Sequence, residues 1–351
     1  MTEDRKPVRR IRSSAPTRIC DIGGWTDTWF AQHGKVFNIA VSPCVQVELD
    51  LFENDEQPAP FTIHARNYNE RYSIAQPNGK YDRHPLIEAA LDCIRPPENL
   101  ALELSIYSEA PAGASTGTSA AVTVAVIGAL NHIARGELEP YEVAATAHRI
   151  ETDFLHRQCG IQDQIAAAFG GINFIDIDQY PRATVERIAL PKAIEQELEA
   201  RLALIYVGKT HSSSDVHEMV IRHLENAGPD APQLERLRAT AMKSRHALSA
   251  GDFAVFGEAM IENTEAQRAL HPKLIGAAHQ QIIGIAREHG AWGWKVNGAG
   301  GEGGSVTLLG EPDRDAQQSL LQTIEAANAR FRNIPIRLSA SGLRVWEAAG
   351  E

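Results

Sequence analysis

Cysteine is scarce in this sequence, and its few copies lie far apart. The 351 residues contain only Cys20, Cys44, Cys93 and Cys159, and no two of them form a Cys-x-x-Cys pair. This spacing excludes a dense disulfide framework, which small secreted proteins often need. We therefore expect a reducing, cytoplasmic environment in which the four thiols are buried apolar residues.

Long apolar runs and an excess of basic residues are also missing. No stretch approaches the roughly 20 apolar residues that a membrane helix needs, and the charged segment 1–14 lacks the apolar core of a secretory signal. Acidic residues outnumber basic ones by 45 to 34, which gives a net charge of −11. Because nucleic-acid binding needs a basic face, we expect a soluble protein that binds neither membranes nor nucleic acids.

The chain is long enough for two domains, and its pattern changes part-way along. Strand-like alternation of apolar and polar residues dominates the first part, whereas helical spacing dominates after Lys209. The sequence therefore predicts two α+β domains, 1–190 and 191–351.

Three local patterns give more specific expectations. Residues 36–51 alternate with a period near two, and Pro43 predicts a break between two paired strands. Residues 141–158 predict one helix. Residues 334–345 predict one final strand.

Two clusters of small residues are the most informative feature of the sequence. Residues 111–120 (PAGASTGTSA) open the apolar helical segment 118–134, with Thr118 or Ser119 as the expected N-cap. A loop of this kind at a helix start exposes backbone N–H groups to phosphate. The second cluster, residues 295–304 (KVNGAGGEGG), suits a close approach of the backbone or positive φ angles. Together the clusters predict a bound phosphoryl group.

Three segments resemble the three motifs of the GHMP kinases, in the same order and at similar spacing. They are residues 15–18 (APTR) with the turn leading to Asp27, residues 111–120, and residues 295–304. The resemblance covers nearly the whole chain. It implies a two-domain α+β fold, with an N-terminal domain like domain 2 of ribosomal protein S5 and a ferredoxin-like C-terminal domain. It also implies an ATP- and Mg²⁺-dependent small-molecule kinase.

The resemblance assigns roles that suit phosphoryl transfer, in which catalysis is mostly positioning and electrostatics. Asp163 is expected to accept or orient the acceptor hydroxyl, with Arg18 paired to it. The expected ligands of Mg²⁺ are the hydroxyl of Thr118 or Ser119 and the carboxylate of Glu151. The residues expected around the ATP phosphates are Pro111, Gly113, Ala114, Ser115, Thr116, Gly117, Thr118 and Ser119. The residues expected around the acceptor are Gly24, Trp25, Asp27, Gly300 and Gly301.

The sequence departs from the family pattern at a few positions. Ser115 and Thr116 replace a Gly-Leu pair, and Glu302 is inserted between two glycine pairs, where it could place a carboxylate near a phosphate. Gly24-Trp25 stands where galactokinases carry Glu-His, which weakens a galactose-specific interpretation. Lys209, His211 and Ser213 could hold a substrate phosphate, although an ordinary polar loop explains them almost as well.

Within the sugar-kinase branch, different segments favour different acceptors. Residues 162–174 and 207–214 are similar to the D-glycero-D-manno-heptose 7-phosphate kinases, whereas residues 23–28 look more like L-fucokinases. The sequence predicts phosphorylation of an anomeric hydroxyl, on that heptose 7-phosphate or alternatively on L-fucose or another free sugar. A catalytically silent sugar or nucleotide sensor stays open, and so does a homodimer. An oxidoreductase is disfavoured, because the first cluster lacks the G-x-G-x-x-G pattern and the second lacks the βαβ context that this motif needs.

Overall fold

The fold is known from a computed structural model that describes most of the chain. The described residues are 6–53, 61–74, 79–97, 99–134, 136, 138–209, 213–224 and 227–348, of which 213–217 and 219 are described by their backbone alone. The strands among them are β1 (Arg9–Ile22), β2 (Gly34–Glu53), β3 (Phe61–Ala65), β4 (Glu70–Ile74), β5 (Leu100–Ser108), β6 (Ile172–Gln179), β7 (Arg182–Arg187), β8 (Leu202–Tyr206), β9 (Gly293–Val296), β10 (Ser305–Leu309), β11 (Arg332–Ile334), β12 (Arg337–Leu338) and β13 (Arg344–Glu347).

Ten α-helices accompany these strands in the described part of the chain. They are α1 (Pro85–Cys93), α2 (Thr118–Ile133), α3 (Pro140–Arg149), α4 (Gln162–Phe169), α5 (Lys192–Arg201), α6 (Ser213–Leu224), α7 (Pro232–Ser249), α8 (Phe253–Leu270), α9 (Ala277–Glu288) and α10 (Arg314–Ala327). None of the described helices combines the length and apolarity needed to cross a membrane.

Two sheets organise the fold, as the expected α+β class requires. The larger sheet has the order β13-β1-β2-β5-β3-β4, with β6 on β2 and β7 on β6. The smaller sheet has the order β11-β8-β10-β9. Helix α2 is apolar nearly all round and lies in the core of the larger sheet, which fits a helix enclosed by other elements. A second core joins the larger sheet to α7 and α8, where Phe37 meets Phe256 with ring centroids 5.7 Å apart.

Strand β2 is continuous through Pro43, so the predicted break into two strands is wrong. Its first half pairs with β6 and its second half pairs with β5. The pairing with β1 shifts register between Pro16 and Thr17, opposite Pro43. A proline lacks the N–H that a regular ladder needs, and a bulge accommodates it. Pro43 therefore marks the place where one long strand changes its second neighbour.

The two other local predictions are also wrong in part. The helix predicted over 141–158 ends at Arg149 and continues as a π-helical turn, Ile150–Phe154. The predicted final strand is instead three short strands on two sheets: β11 pairs with β8, whereas β12 and β13 return to β2 and β1. The division into 1–190 and 191–351 stays a prediction.

Substitution by alanine is expected to have opposite effects on stability at Gly34 and at Gly284. A Cβ on Gly34 would lie 2.0 Å from the carbonyl oxygen of Thr26, whereas a Cβ on Gly284 in α9 would meet nothing within 4 Å. We expect Gly34→Ala to lower the free energy of unfolding by about 1–3 kcal/mol through overpacking. Gly284→Ala should raise it by about 0.5–1 kcal/mol, because glycine weakens a helix. Urea denaturation of both variants tests this, and equal effects would contradict the packing at Gly34.

Candidate active site

A cleft of about 760 Å³ brings the sequence-predicted residues together. The loop before α2 forms one wall, and the turn after β1 and the loop before α4 form the others. The described lining residues that were predicted from the sequence are Arg18, Gly24, Trp25, Asp27, Gly113, Ala114, Ser115, Thr116, Gly117, Thr118, Ser119, Glu151 and Asp163. Pro111, Gly300 and Gly301 are not among the described residues that line it.

Arg18 joins three elements at the centre of the cleft. Its Nε and Nη2 donate to Asp163 Oδ1 and Oδ2 at 2.9 and 3.2 Å, and its Nη1 donates to the carbonyl of Ser115. The residue is only 3% exposed. Burial alone would lower the pKa of Arg18, but the neighbouring carboxylates, first Asp163, outweigh it and raise that pKa. The pair is therefore a fixed, charged fork that ties β1 to α4 and to the small-residue loop.

The loop before α2 presents its backbone to the cleft. Gly117 at φ 68° precedes the helix, and no described side chain caps it, so the prediction that Thr118 or Ser119 is the N-cap is wrong. The Thr118 hydroxyl instead contacts that of Thr116 at 3.2 Å. As at every helix start, the first N–H groups of α2 have no intrahelical partner. They can bind an anion, which the helix dipole also favours.

Ser115 adopts a conformation that glycine prefers. Its φ is 57°, in the left-handed region, where a residue with a Cβ is less favourable by roughly 1–2 kcal/mol. The same residue stands where the family pattern has glycine. The local backbone conformation that glycine allows is therefore also adopted here, with serine in its place.

Two buried carboxylates flank the Arg18–Asp163 pair. Burial raises the pKa of Asp27 to about 6, opposed by a hydrogen bond from the Gln162 backbone N–H to Asp27 Oδ2 at 3.1 Å. Burial likewise raises the pKa of Glu151 to about 7, opposed by a hydrogen bond from Gln164 Nε2 at 2.7 Å. Asp21, Asp27 and Asp163 act on the buried Arg18 guanidinium, and Glu151 lies near Asp163. Such an excess of negative charge suits a divalent cation.

Glu151 owes its position to an irregular stretch of backbone. The π-helical turn Ile150–Phe154 carries it, directly after α3. Turns of this type widen the helix by one residue and are frequent at functional sites. The sequence prediction of one continuous helix missed this turn, although it named the carboxylate.

A chain of buried amides leads into Asp163 from the larger sheet. Asn173 Nδ2 donates to Asn38 Oδ1 at 3.0 Å, and Asn38 Nδ2 donates to Gln162 Oε1 at 3.1 Å. Gln162 Nε2 in turn donates to Asp163 Oδ1. Asn38 and Asn173 are fully buried and face each other across β2 and β6. Sequence reasoning missed these amides, because a lone asparagine in a strand carries no recognisable signal.

The second glycine cluster contributes Gly298 and Ala299 to the lining of the cleft. The Gly298 N–H donates to Asp21 Oδ2 at 2.9 Å, and a Cβ on Gly298 would lie 2.9 Å from Ser115 Cβ. Lys295, 1% exposed, lies 3.4 Å from Asp21 Oδ1, and burial lowers the pKa of Lys295. Its role as a counter-charge to Asp21 was not predicted from the sequence.

Gly300 and Gly301, which were predicted to bind the acceptor, pack against a neighbouring turn. The Gly301 N–H donates to the carbonyl of Leu274 at 2.8 Å, and a Cβ on Gly300 would lie 2.0 Å from the same oxygen. Gly300 and Gly301 thus let the loop lie against the 3₁₀ turn Pro272–Leu274. Their predicted contact with an acceptor stays untested.

Of the three residues that could hold a substrate phosphate, the structure describes the side chain of Lys209 alone. Lys209 lies 3.7 Å from Glu302, both side chains are exposed, and neither lines the cleft within the described part of the chain. Glu302 thus faces a lysine. His211 lies outside the described residues, as does the side chain of Ser213.

Comparison with known proteins decides the family. Residues 85–171 match the family of GHMP kinases, N-terminal domain. The mevalonate kinase of Pyrococcus horikoshii is 31% identical over 274 residues, which cover 75% of this chain and 73% of the relative. The chain belongs to the GHMP kinases. It is therefore an ATP-dependent small-molecule kinase.

Other GHMP kinases match over more of the chain. The D-glycero-alpha-D-manno-heptose 7-phosphate kinase of Campylobacter jejuni is 28% identical over 88% of this chain and 91% of its own length. The bifunctional fucokinase/GDP-fucose pyrophosphorylase of Arabidopsis thaliana is 25% identical over 90% of this chain, but over only 31% of its own length. The structure of a D-glycero-D-manno-heptose 1-phosphate kinase from Bacteroides thetaiotaomicron superimposes with a TM-score of 0.75, at 22% identity, over 97% of this chain and 99% of that chain. This confirms the predicted fold.

The raised pKa values of Asp27 and Glu151 predict how stability depends on pH without divalent cations. Both groups bind a proton more tightly in the folded than in the unfolded state. Their unfavourable contribution is therefore absent below about pH 4 and complete above about pH 7. We expect the free energy of unfolding to fall across this window, by at most about 3 kcal/mol for each group.

Glu151→Gln isolates one of the two contributions. In EDTA, urea denaturation from pH 4.5 to 7.5 should show a shallower decline for this variant than for the wild type. The exposed Glu186→Gln serves as the control and should keep the wild-type slope. Parallel curves for all three proteins would contradict the burial of a charged Glu151.

Proposed function

We propose that this GHMP kinase transfers the γ-phosphoryl group of ATP to the anomeric hydroxyl of a sugar. One observation carries the proposal: the Arg18–Asp163 pair and the buried Asp27 face the same cleft as the N-terminus of α2. A phosphate held at the helix start and a hydroxyl held by the carboxylates would meet in this cleft. That is what an in-line transfer requires.

Asp163 is the proposed general base or orienting acceptor. The acceptor oxygen attacks the γ-phosphorus, the bond to the β,γ-bridging oxygen breaks, ADP leaves, and the hydroxyl proton passes to Asp163. Arg18 keeps the carboxylate in place and offsets the negative charge that spreads over the transferred group. Asp27 is proposed to accept hydrogen bonds from sugar hydroxyls.

The residues at the cleft also fit a magnesium ion. Mg²⁺ binds one or two carboxylates together with phosphate and water oxygens. Glu151 offers a buried carboxylate with a raised pKa, and Thr118 and Ser119 offer hydroxyls on the same cleft. When bound, the ion would neutralise charge on the phosphates. The cation would also favour the ionised form of Glu151.

The best-supported acceptor is D-glycero-D-manno-heptose 7-phosphate. A relative with that substrate in its name aligns over 91% of its own length, and residues 162–174 follow the pattern of that group. L-fucose or another free sugar is the alternative, since a fucokinase also aligns over most of this chain. Trp25, 8% exposed at φ 78°, lines the cleft in a strained conformation, which suits a residue that shapes an acceptor pocket. A homodimer and a cytoplasmic location stay predictions.

A panel of sugars tests the proposed reaction. ADP release is measured with Mg-ATP and heptose 7-phosphate, the unphosphorylated heptose, mannose, fucose, galactose and N-acetylhexosamines. We expect the highest kcat/KM with heptose 7-phosphate, and phosphorus NMR of its product should show a phosphate at the anomeric carbon. Saturable ATP binding without turnover of any sugar would contradict the proposal and favour a sensor.

Asp163→Asn tests the role of the proposed base. Asparagine keeps the shape of the side chain but cannot accept the proton, so we expect kcat to fall about 10²- to 10⁴-fold. The Kd of Mg-ATP should change little, because the nucleotide phosphates are proposed to bind the α2 N-terminus. Asp176→Asn, which removes a surface partner of Lys35, is the control with wild-type kcat. A rate within a few-fold of wild type for Asp163→Asn would show that another group takes the proton.

A further inference from the structure

Arg157 is unlike the other cations around the cleft. Arg18 is committed to Asp163, and Lys295, behind the cleft, lies against Asp21. Arg157 lines the cleft and is exposed, and within the described part of the chain its guanidinium takes part in no ion pair. Among the described lining residues, Arg157 is thus a positive charge outside any ion pair, although its field also acts on the carboxylate of Glu151.

The backbone that carries Arg157 is nevertheless firmly held. The Arg157 N–H donates to the carbonyl of Glu151 at 2.8 Å, and His156 turns the chain with a φ of 51°. Further along the loop, Tyr180 Oη donates to the carbonyl of Cys159 at 2.9 Å. An anchored loop with a free guanidinium is a geometry prepared for a ligand, because little backbone order is lost on binding.

The same loop approaches the proposed acceptor site. Gly160 is in such close contact with Asp27 that a Cβ would lie 1.9 Å from Asp27 Oδ2. The backbone of Gln162, just beyond, donates to that carboxylate. Arg157 thus lies on the segment that connects Glu151 to the Asp27 contacts at Gly160 and Gln162. The N–H groups proposed for the nucleotide lie elsewhere, at the start of α2. A group bound to Arg157 would belong to the acceptor side.

We propose that Arg157 binds the phosphate of a phosphorylated acceptor and so selects sugar phosphates over free sugars. This inference rests on the proposed function and names the determinant of its substrate class. A guanidinium matches two phosphate oxygens at once and keeps its charge at every physiological pH. Five described carboxylates line the cleft, namely Asp21, Asp27, Glu151, Asp163 and Glu218. They would repel an anionic acceptor, so a cation outside the ion pairs is needed to admit one. Lys209 is a weaker candidate, since it lies beside Glu302 and away from the cleft.

The test compares Arg157→Gln with a matched loss of charge. Arg149→Gln removes an arginine from the end of α3 that lies 3.7 Å from Asp153 and is not a described lining residue. For each protein, kcat/KM is measured with heptose 7-phosphate and with the unphosphorylated heptose, together with the KM of ATP. We expect Arg157→Gln to lower kcat/KM for heptose 7-phosphate about 10- to 100-fold. The free heptose and ATP should change less than about three-fold, and Arg149→Gln should resemble the wild type.

Two kinetic outcomes would overturn the inference. Equal losses for both acceptors with a raised KM of ATP would place Arg157 on the nucleotide phosphates. Unchanged kinetics with heptose 7-phosphate would leave Arg157 without a role in binding, even though the sugar-kinase reaction stood.

A binding measurement separates this inference from the proposed function. Inorganic phosphate is titrated by calorimetry into the protein saturated with Mg²⁺ and a non-hydrolysable ATP analogue, so no turnover is needed. We expect binding that Arg157→Gln weakens at least about 10-fold, that Arg157→Lys weakens less, and that Arg149→Gln leaves unchanged. If no sugar were turned over but this pattern held, the phosphate site would stand and the proposed reaction would fail. Equal binding by wild type and Arg157→Gln would remove the site whatever the kinetics.

Discussion

The ion pair between Arg18 and Asp163 is the contact on which the rest of the cleft depends. Because the guanidinium is buried, its charge needs an opposite charge beside it. The carboxylate of Asp163 provides this charge through a bidentate hydrogen bond. The same group also holds the carbonyl of Ser115, and the Arg18 backbone N–H donates to Thr116 at 2.9 Å. Strand β1, helix α4 and the loop before α2 are thereby held together at Arg18. Removal of Asp163 would leave the buried charge of Arg18 without its bidentate partner.

Local chemistry explains how much of the candidate site could be predicted. A phosphate loop needs small residues and backbone N–H groups in one short segment, so residues 113–119 could be proposed as one from the sequence. Asp163 and Arg18 were found only through family motifs, because nothing in either segment alone indicates that they pair. The amide chain of Asn38 and Asn173 was missed for a related reason. Its members are ordinary strand residues, 135 positions apart, until the β2–β6 ladder brings them together.

The fold, like the site, could be predicted only where it depends on residues close together in the sequence. Helix α2 was predicted correctly, since its apolar pattern depends on immediate neighbours. The break predicted at Pro43 was wrong because a missing N–H interrupts a ladder only where the neighbouring strand needs a donor. Here a register shift in the pairing with β1 removes that need. The π-helical turn that carries Glu151 has no sequence signature at all. Such features follow from long-range packing, which overrides local preference.

The return of β13 to the first strand has a consequence for how the molecule is made. Ile11 faces Glu347 across the ladder, and Arg9 contacts the same residue 338 positions along the chain. A growing polypeptide would expose this edge of β1 until the 338 positions that separate Arg9 from Glu347 had been synthesised. Contacts so distant in sequence also slow folding, because a long loop must close first. The larger sheet is thus begun before the smaller sheet and completed only after every described strand of the smaller sheet has been synthesised.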